Sequence, residues 1–279
     1  MSDKAIDLSI LVPTMNSDEY IYETISRILK INKDAKIEII VSDNFSNDKT
    51  REILEGFDDI RLRLVYWESR MSAADHWTKL SHLANGEFTK LVCADDVVFA
   101  NAVIEQLEIA KSDEHLAMVS SPRNIISNSG RTLYRNKGLA SLKGSHNGHN
   151  AIKICVSSGT NLFGEPMCVL FRTSHLKNSL PWSEKFPYVI DLDMYSKVLN
   201  SGNFYGLTCS VGAFRLSSSS WSRFLIKSQV ENFNSWLDFA LEEKFIKLSE
   251  KELSSAKHRA SLQGLRRRFV MRIVSFLSL

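Results

Sequence analysis

The sequence predicts an α/β protein, a mostly parallel sheet flanked by helices on both faces with a helical extension at the C-terminus. Three observations predict it. Short β-rich apolar runs alternate four times with helix-spaced segments in the first half. Each of these runs stops at a polar or turn-rich stretch, which is how parallel strands end before a right-handed crossover. A distinct pattern of apolar residues at helical spacing then closes the chain.

Taken in order, Leu8 to Val12 reads as a buried strand stopped by Pro13. Tyr20 to Ile31 follows with Ile21, Ile25, Ile28 and Leu29 on one helical face. Ile37 to Val41 is the second strand, ended by the turn-rich Ser42 to Asp48, and Asp48 caps a helix over Lys49 to Leu54. Leu62 to Tyr66 is the third strand and Ser72 to Leu83 the next helix. Thr89 to Cys93 is the fourth strand, broken by Ala94-Asp95-Asp96. A helix over Ala102 to Ala110 and a strand over Leu116 to Ser120 follow. Ser127 to Asn150, rich in Gly, Asn, Ser and His, reads as a long loop or lid. Met167 to Phe171 is a strand, Asp193 to Leu199 a helix, and Lys227 to Leu248 an amphipathic helix with apolar residues at 230, 233, 237 and 241. These elements divide into a catalytic α/β domain over 1–222 and a helical extension over 223–279.

Composition narrows the function classes. Hydrophobic residues make up 44% of the 279, which permits a large core, and no run approaches the ~20 apolar residues of a membrane span. A net charge of only +3 gives no reason to expect nucleic acid. Six Lys or Arg and no acid lie between Leu253 and Leu279, so the rest of the chain is net acidic and the basic tail is a feature of its own. Cys93, Cys155, Cys168 and Cys209 form no CxxC pair, and Met1 to Thr14 has no basic n-region. Reduced thiols in a cytoplasmic protein are therefore expected.

In a parallel sheet, ligands bind beyond the carboxyl ends of the strands. Three polar clusters fall there: Thr14-Met15-Asn16, Asp43-Asn44 and Asp95-Asp96. Adjacent carboxylates delivered by a strand suit a hard divalent cation completed by substrate phosphates; the plainer alternative is a cap for the following helix. Asp43 can accept from a base imide or a ribose hydroxyl, or it can form an Asx-turn. Pro13-Thr14 can line a pocket or simply end a strand. No GxGxxG or GxxxxGK[ST] occurs, which removes the dinucleotide-binding and P-loop classes. His146 and His149 have zinc-compatible spacing without a further ligand cluster, and the serines at 157–158 and 217–220 lack a nucleophile elbow.

Six segments carry a resemblance. They are 8–17 (LSILVPTMNS), 37–51 (IEIIVSDNFSNDKTR), 70–77 (RMSAADHW), 86–96 (GEFTKLVCADD), 164–172 (GEPMCVLFR) and 189–199 (VIDLDMYSKVL). In this order and spacing the chain resembles a bacterial family 2 glycosyltransferase of GT-A fold, over roughly residues 8–222. The resemblance implies an inverting transfer of sugar from a nucleotide-sugar, foremost a UDP-sugar, to an acceptor hydroxyl in surface polysaccharide such as O-antigen. It implies Mg²⁺ or Mn²⁺ at Asp95 and Asp96. Pro13, Thr14, Asp43, Asn44, Arg70 and Asp95 would bind the donor. Asp191 would be the catalytic base, with Asp193 its rival.

Three departures from the family pattern stand out. Cys93 replaces the first acid of the DxD signature, Ile190 replaces the first acid of the Glu-Asp pair, and Ser217 stands where a His often follows Arg215. Cys93 and Ile190 favour a non-catalytic nucleotide-sugar-binding protein as the alternative. A sugar nucleotidyltransferase would require a Gly-rich basic loop after the first strand, and 13–16 is not one. In the tail, Leu262, Leu265, Phe269, Ile273 and Phe276 share a helical face, with Arg266 and Arg272 placed to snorkel and Arg267 and Arg268 away from it. Residues 261–279 are therefore expected on the cytoplasmic face of a membrane, as suits a lipid-linked glycan acceptor. The alternative is packing on the body or on a second copy in a homo-oligomer.

Overall fold

The computed structural model describes residues 5–32, 35–216 and 225–276, with the backbone alone at 226 and over 270–276. The first half alternates as expected: β1 (Leu8–Thr14), α1 (Ile21–Ile28), β2 (Ile37–Asp43), α2 (Thr50–Glu55), β3 (Leu62–Tyr66), α3 (Ala73–His82) and β4 (Phe88–Leu91). Then come β5 (Val97–Val98), α4 (Ala100–Lys111), β6 (Leu116–Ser120), β7 (Arg123–Ser127), β8 (Thr132–Lys137), β9 (Gly144–His146) and α5 (Gly148–Ser157). The remainder is β10 (Val169–Arg172), α6 (Thr173–Asn178), α7 (Ile190–Leu199), β11 (Asn203–Gly206), β12 (Gly212–Leu216), α8 (Gln229–Glu242) and α9 (Glu250–Phe276).

The main sheet has eight strands in the order β3-β2-β1-β4-β10-β6-β11-β9. The β3-β2-β1-β4 half is parallel, and β10 runs antiparallel between β4 and β6. Every residue of β1 is buried, as a central parallel strand covered on both faces must be. A smaller sheet, β5-β12-β7-β8, packs beside it.

Pro13 does not stop β1, which runs to Thr14 in register with Asp43. Its polar backbone side faces β4, as Leu11's does, but β4 ends opposite Leu11. The missing N–H therefore costs no ladder bond. The expected loop over Ser127 to Asn150 instead holds β8, β9 and the start of α5. β8 is an edge strand with nearly all its side chains exposed, so no apolar alternation marks it. It closes on β7 through a turn at Gly130, whose φ of 85° favours glycine. The expected helix over Lys227 to Leu248 is shorter, because Lys244 at φ 62° turns the chain and Phe245 N–H caps Ala240 O at 2.9 Å. The helix predicted from Asp193 starts at Ile190, which brings Asp191 into its first turn.

Helix α9 starts at a capping box. Ser249 N–H donates to Glu252 Oε2 at 2.9 Å, and Glu252 N–H returns to Ser249 Oγ at 3.4 Å. Its buried face is Ala256, Ala260 and Gly264, with Arg267 partly buried beyond them. Of the predicted apolar stripe, Leu262, Leu265 and Phe269 point to solvent at 44, 61 and 66% exposure, so they do not pack on the enzyme's own body. The side chains of Ile273 and Phe276, like Ser217 and the rest of 217–220, lie outside the described residues. No helix among the described residues is long and apolar enough to cross a membrane.

Candidate active site

The register of the sheet builds the site. Thr14 and Asp43 lie level at the ends of β1 and β2, and Asn44 N–H donates to Thr14 O at 2.9 Å. β4 ends next to them, and the chain turns through Cys93 to Asp96, closed by Asp96 N–H to Cys93 O at 3.0 Å. Two buried side chains hold this turn from below. Thr24 of α1 donates its single hydroxyl proton toward Ala94 O at 2.8 Å and Asp96 O at 2.9 Å. Arg215 of β12 donates to Asp95 O at 3.3 Å and to Asn128 O at 2.9 Å, and pairs with Glu23 at 2.7 Å.

On this turn Asp95 is partly buried and Asp96 is 1% exposed, with Asp96 Oδ1 lacking a hydrogen-bond partner. Burial pushes both carboxyls up. Asp96 goes well above the usual range, with repulsion from Asp95 and Glu165 added. An orphaned buried carboxylate oxygen beside a second carboxylate fits a hard cation that takes its remaining oxygens from phosphate. Among the described residues no three His, Cys, Asp or Glu stand close enough to form an all-protein metal cage. That includes His146 and His149: His146 meets Lys143 O at 3.1 Å, and His149 lies in the first turn of α5.

Asp43 is fully buried and heavily committed. Its carboxylate pairs with Arg51 at 2.6 Å and accepts from Ser46 N–H at 3.1 Å and from the Ser46 hydroxyl. It thus organises the loop after β2, the Asx-type role, with lone pairs left for one further donor. Beside it, Ser42 accepts from Trp67 Nε1–H and bonds His76 Nε2, each at 2.8 Å. Burial pulls His76 down to about 4, so it is neutral at pH 7. Asn44 clamps the Met71 backbone in both directions, at 2.8 and 2.9 Å. That clamp fixes the loop on which Arg70 stands exposed. Pro13 and Thr14 are buried, and Thr14 Oγ1 has no hydrogen-bond partner.

The two candidate bases separate sharply. Asp191 Oδ2 accepts from Asn161 Nδ2 at 2.8 Å, and Oδ1 accepts from Leu192 N–H at 2.7 Å. Burial pushes its carboxyl up to about 7; Glu165 adds repulsion, while the two donated hydrogen bonds hold it down. Asp193 turns the other way. It is 2% exposed, pairs with Lys197 at 2.6 Å and accepts Trp236 Nε1–H of α8 at 3.1 Å. It ties α7 to α8.

Sequence reasoning passed over Glu165, Arg123, Asn161 and Thr24. Glu165 forms a fork with Arg123 at 2.5 and 2.6 Å, at the start of the 3₁₀ turn Pro166–Cys168. Its signal was an acid directly before a proline in 164–172, and Thr24 was a lone hydroxyl inside an isoleucine stripe. Burial pushes the Cys93 thiol well up, with further push from the charges of Asp96, Asp95, Glu165 and Asp191.

The *Streptococcus pneumoniae* protein named Glycosyltransferase GlyG is 34% identical over 98 residues, 34% of this chain and 32% of its own length. The *Escherichia coli* UDP-Glc:alpha-D-GlcNAc-diphosphoundecaprenol beta-1,3-glucosyltransferase WfgD is 28% identical over 217 residues, 77% of this chain and 79% of its own. The chain thus matches about a third of the first relative's length and most of the second's. The crystal structure of *S. aureus* TarS 1–349 in complex with UDP-GlcNAc superposes with a TM-score of 0.67 at 20% identity, covering 91% of this chain and 71% of that one. That likeness shows the GT-A fold. Residues 9–179, more than half of the chain, match Glycosyl transferase family 2, and the chain belongs to that family of glycosyltransferases.

Proposed function

We propose that this enzyme transfers a sugar from a UDP-sugar to a hydroxyl of a bacterial surface-polysaccharide intermediate, with inversion at the anomeric carbon. The observation that supports the reading is the level ending of β1 and β2 at Thr14 and Asp43, beside the turn after β4 that carries Asp96 with a buried, unpartnered carboxylate oxygen. That arrangement supports a donor and cation site beyond the carboxyl ends of the strands, with Asp191 read as the proton acceptor.

Asp191 takes the proton of the acceptor hydroxyl as that oxygen forms its bond to the anomeric carbon. The bond from that carbon to the diphosphate breaks on the opposite face, and its electron pair leaves with the nucleoside diphosphate. A carboxyl poised near 7 suits this task, since it is ionised often enough to act and basic enough to accept. Mg²⁺ or Mn²⁺ held by Asp95 and Asp96 would neutralise charge on the departing diphosphate. Thr24 and Arg215 keep those carboxylates facing the crevice. The ledge formed by Pro13, Thr14, Asp43 and Asn44 receives the nucleoside, and Arg70 meets the diphosphate.

The acceptor is a lipid-linked glycan, as in the printed name of the *E. coli* relative. The exposed Leu262, Leu265 and Phe269, set beside Arg266, hold the enzyme against anionic lipid on the cytoplasmic face. Residues 1–222 form the catalytic unit and 223–279 the extension that seats it. The deciding experiment measures nucleoside diphosphate release from a panel of donors, with Mg²⁺, Mn²⁺ or chelator. UDP release with metal is expected. No release and no calorimetric binding of any nucleotide would overturn the reading, and equal nucleotide binding by a folded Asp95→Ala variant would remove Asp95 as the metal anchor.

A further inference from the structure

The C-terminal helix reaches the catalytic base through one side chain. Arg267 of α9 is partly buried. Its Nη1 donates to the Tyr188 phenol oxygen and to Gln229 Oε1 at 2.9 Å, and its Nη2 donates to Thr160 Oγ1. The guanidinium carbon also lies 5.6 Å from the Tyr188 ring centre. Both of the outer partners are close to Asp191. Tyr188 is in the 3₁₀ turn Pro187–Val189, which runs directly into α7 and delivers Asp191. Thr160 immediately precedes Asn161, whose amide holds Asp191 Oδ2 at 2.8 Å. One planar fork therefore ties together the two segments that fix the base: the turn that carries it and the loop that hydrogen-bonds it.

The packing of α9 is built for this reach. Gly159, at φ 72°, lets the loop lie against the helix backbone; a Cβ there would stand 2.3 Å from Ala260 N. Ala256, Ala260 and Gly264 keep the approach close, and Gln229 Nε2 donates to Gly264 O at 3.3 Å. Arg267 then extends along that same face. Its charge is spent on neutral oxygens and a ring face, and its hydrogen bonds end one step short of Asp191. Its effect on the base is therefore through position rather than direct pairing.

We propose that Arg267 is a positioning residue for Asp191, so that the seating of α9 sets the geometry of the base. The inference rests on the reading of Asp191 as that base. An ammonium cannot bridge three separated acceptors as a guanidinium fork does, so lysine is a poor substitute. A misplacement of about 1 Å at a reacting group costs about 10²-fold in rate.

The test uses the full chain with a donor that the wild type turns over. Arg267→Ala is expected to lose kcat by about tenfold or more, with donor KM and the calorimetric affinity for UDP held within about twofold. Arg267→Lys should not recover, whereas added guanidinium ion should restore part of the Arg267→Ala rate. Tyr188→Phe should lose a part of the same kcat, and combining it with Arg267→Ala should add nothing further. Lys257→Ala removes the 2.6 Å ion pair between α9 and Asp238 of α8 without touching the fork, and should keep kcat. Wild-type kcat in Arg267→Ala, equal loss in Lys257→Ala, or joint loss of kcat and UDP binding would each overturn the inference. Should Arg267→Ala not fold, an unchanged kcat in Tyr188→Phe overturns it alone. A wild type that releases no nucleoside diphosphate is instead a failure of the proposed function, and an active Asp191→Asn is a failure of the base assignment.

Discussion

Asp191 offers the sharpest prediction, because its proposed role as base and its burial pull activity and stability in opposite directions. With a carboxyl near 7, about a tenth of the molecules carry the base ionised at pH 6, half at pH 7 and nine-tenths at pH 8. The wild-type kcat should therefore rise roughly tenfold from pH 6 to pH 8 and flatten above. Asp191→Asn should lose about 10²-fold or more at pH 8 and show no such rise. Stability runs the other way. The folded carboxyl is raised from 3.8 to about 7, so between those values the folded state holds the proton that the unfolded chain has released. The contribution of this group is full below the unfolded value and is lost as pH climbs through about 7. Asparagine keeps the shape and has no charge to bury, so the variant should match the wild type at pH 4 and exceed it at pH 8, by on the order of a few kcal/mol. Denaturant midpoints at the two pH values, beside kcat–pH profiles of both proteins, check this. A flat wild-type profile, or an Asp191→Asn variant that keeps more than about a tenth of the activity, refutes the base assignment.

Three further outcomes follow from contacts already described. Thr24→Val removes the hydroxyl that ties α1 to Ala94 O and Asp96 O, and should cost about 2 kcal/mol in thermal or denaturant unfolding and weaken metal-dependent UDP binding in calorimetry. Asp193→Asn breaks the ion pair to Lys197 and should lower stability by about 2 kcal/mol while kcat stays near wild type; a dead but stable variant would make Asp193 the base instead. Cys93→Asp adds a carboxylate beside Asp95 and Asp96, so half-maximal activity should need less Mn²⁺, with the metal-free protein less stable; an unchanged metal requirement would place Cys93 away from the cation.

The half of the fold that sequence reveals is the half with a single kind of environment. β1, β2, β3 and β6 are short apolar or alternating runs between turn signals, and their positions follow from that pattern. β8 is an exposed edge strand and β5 is two residues long, so neither carries a periodic signal, and both exist only because β7 and β12 are there to pair with. The same tertiary override explains Pro13, whose strand-breaking chemistry is harmless where β4 has already ended. In α9 the apolar stripe was legible and its partner was not. The helix docks by alanines and a glycine, which composition reads as neutral, and turns Leu262, Leu265 and Phe269 outward.

The site divides along a similar line. Asp95 and Asp96 announce themselves by following a strand, a local fact. The choice between Asp191 and Asp193 is not local, because both fall in the first turn of α7 and both are acids. What separates them comes from elsewhere in the chain: Trp236 and Lys197 take Asp193 into the α8 interface, while Asp191 is held by Asn161 and feels the charge of Glu165. Sequence spacing can tell which acids might face a substrate crevice; only the partners that claim the other acids tell which one is left to do so. Here that elimination rests on a tryptophan 43 residues away in sequence, and it is why a helix outside the six matching segments bears on which carboxylate is proposed as the base.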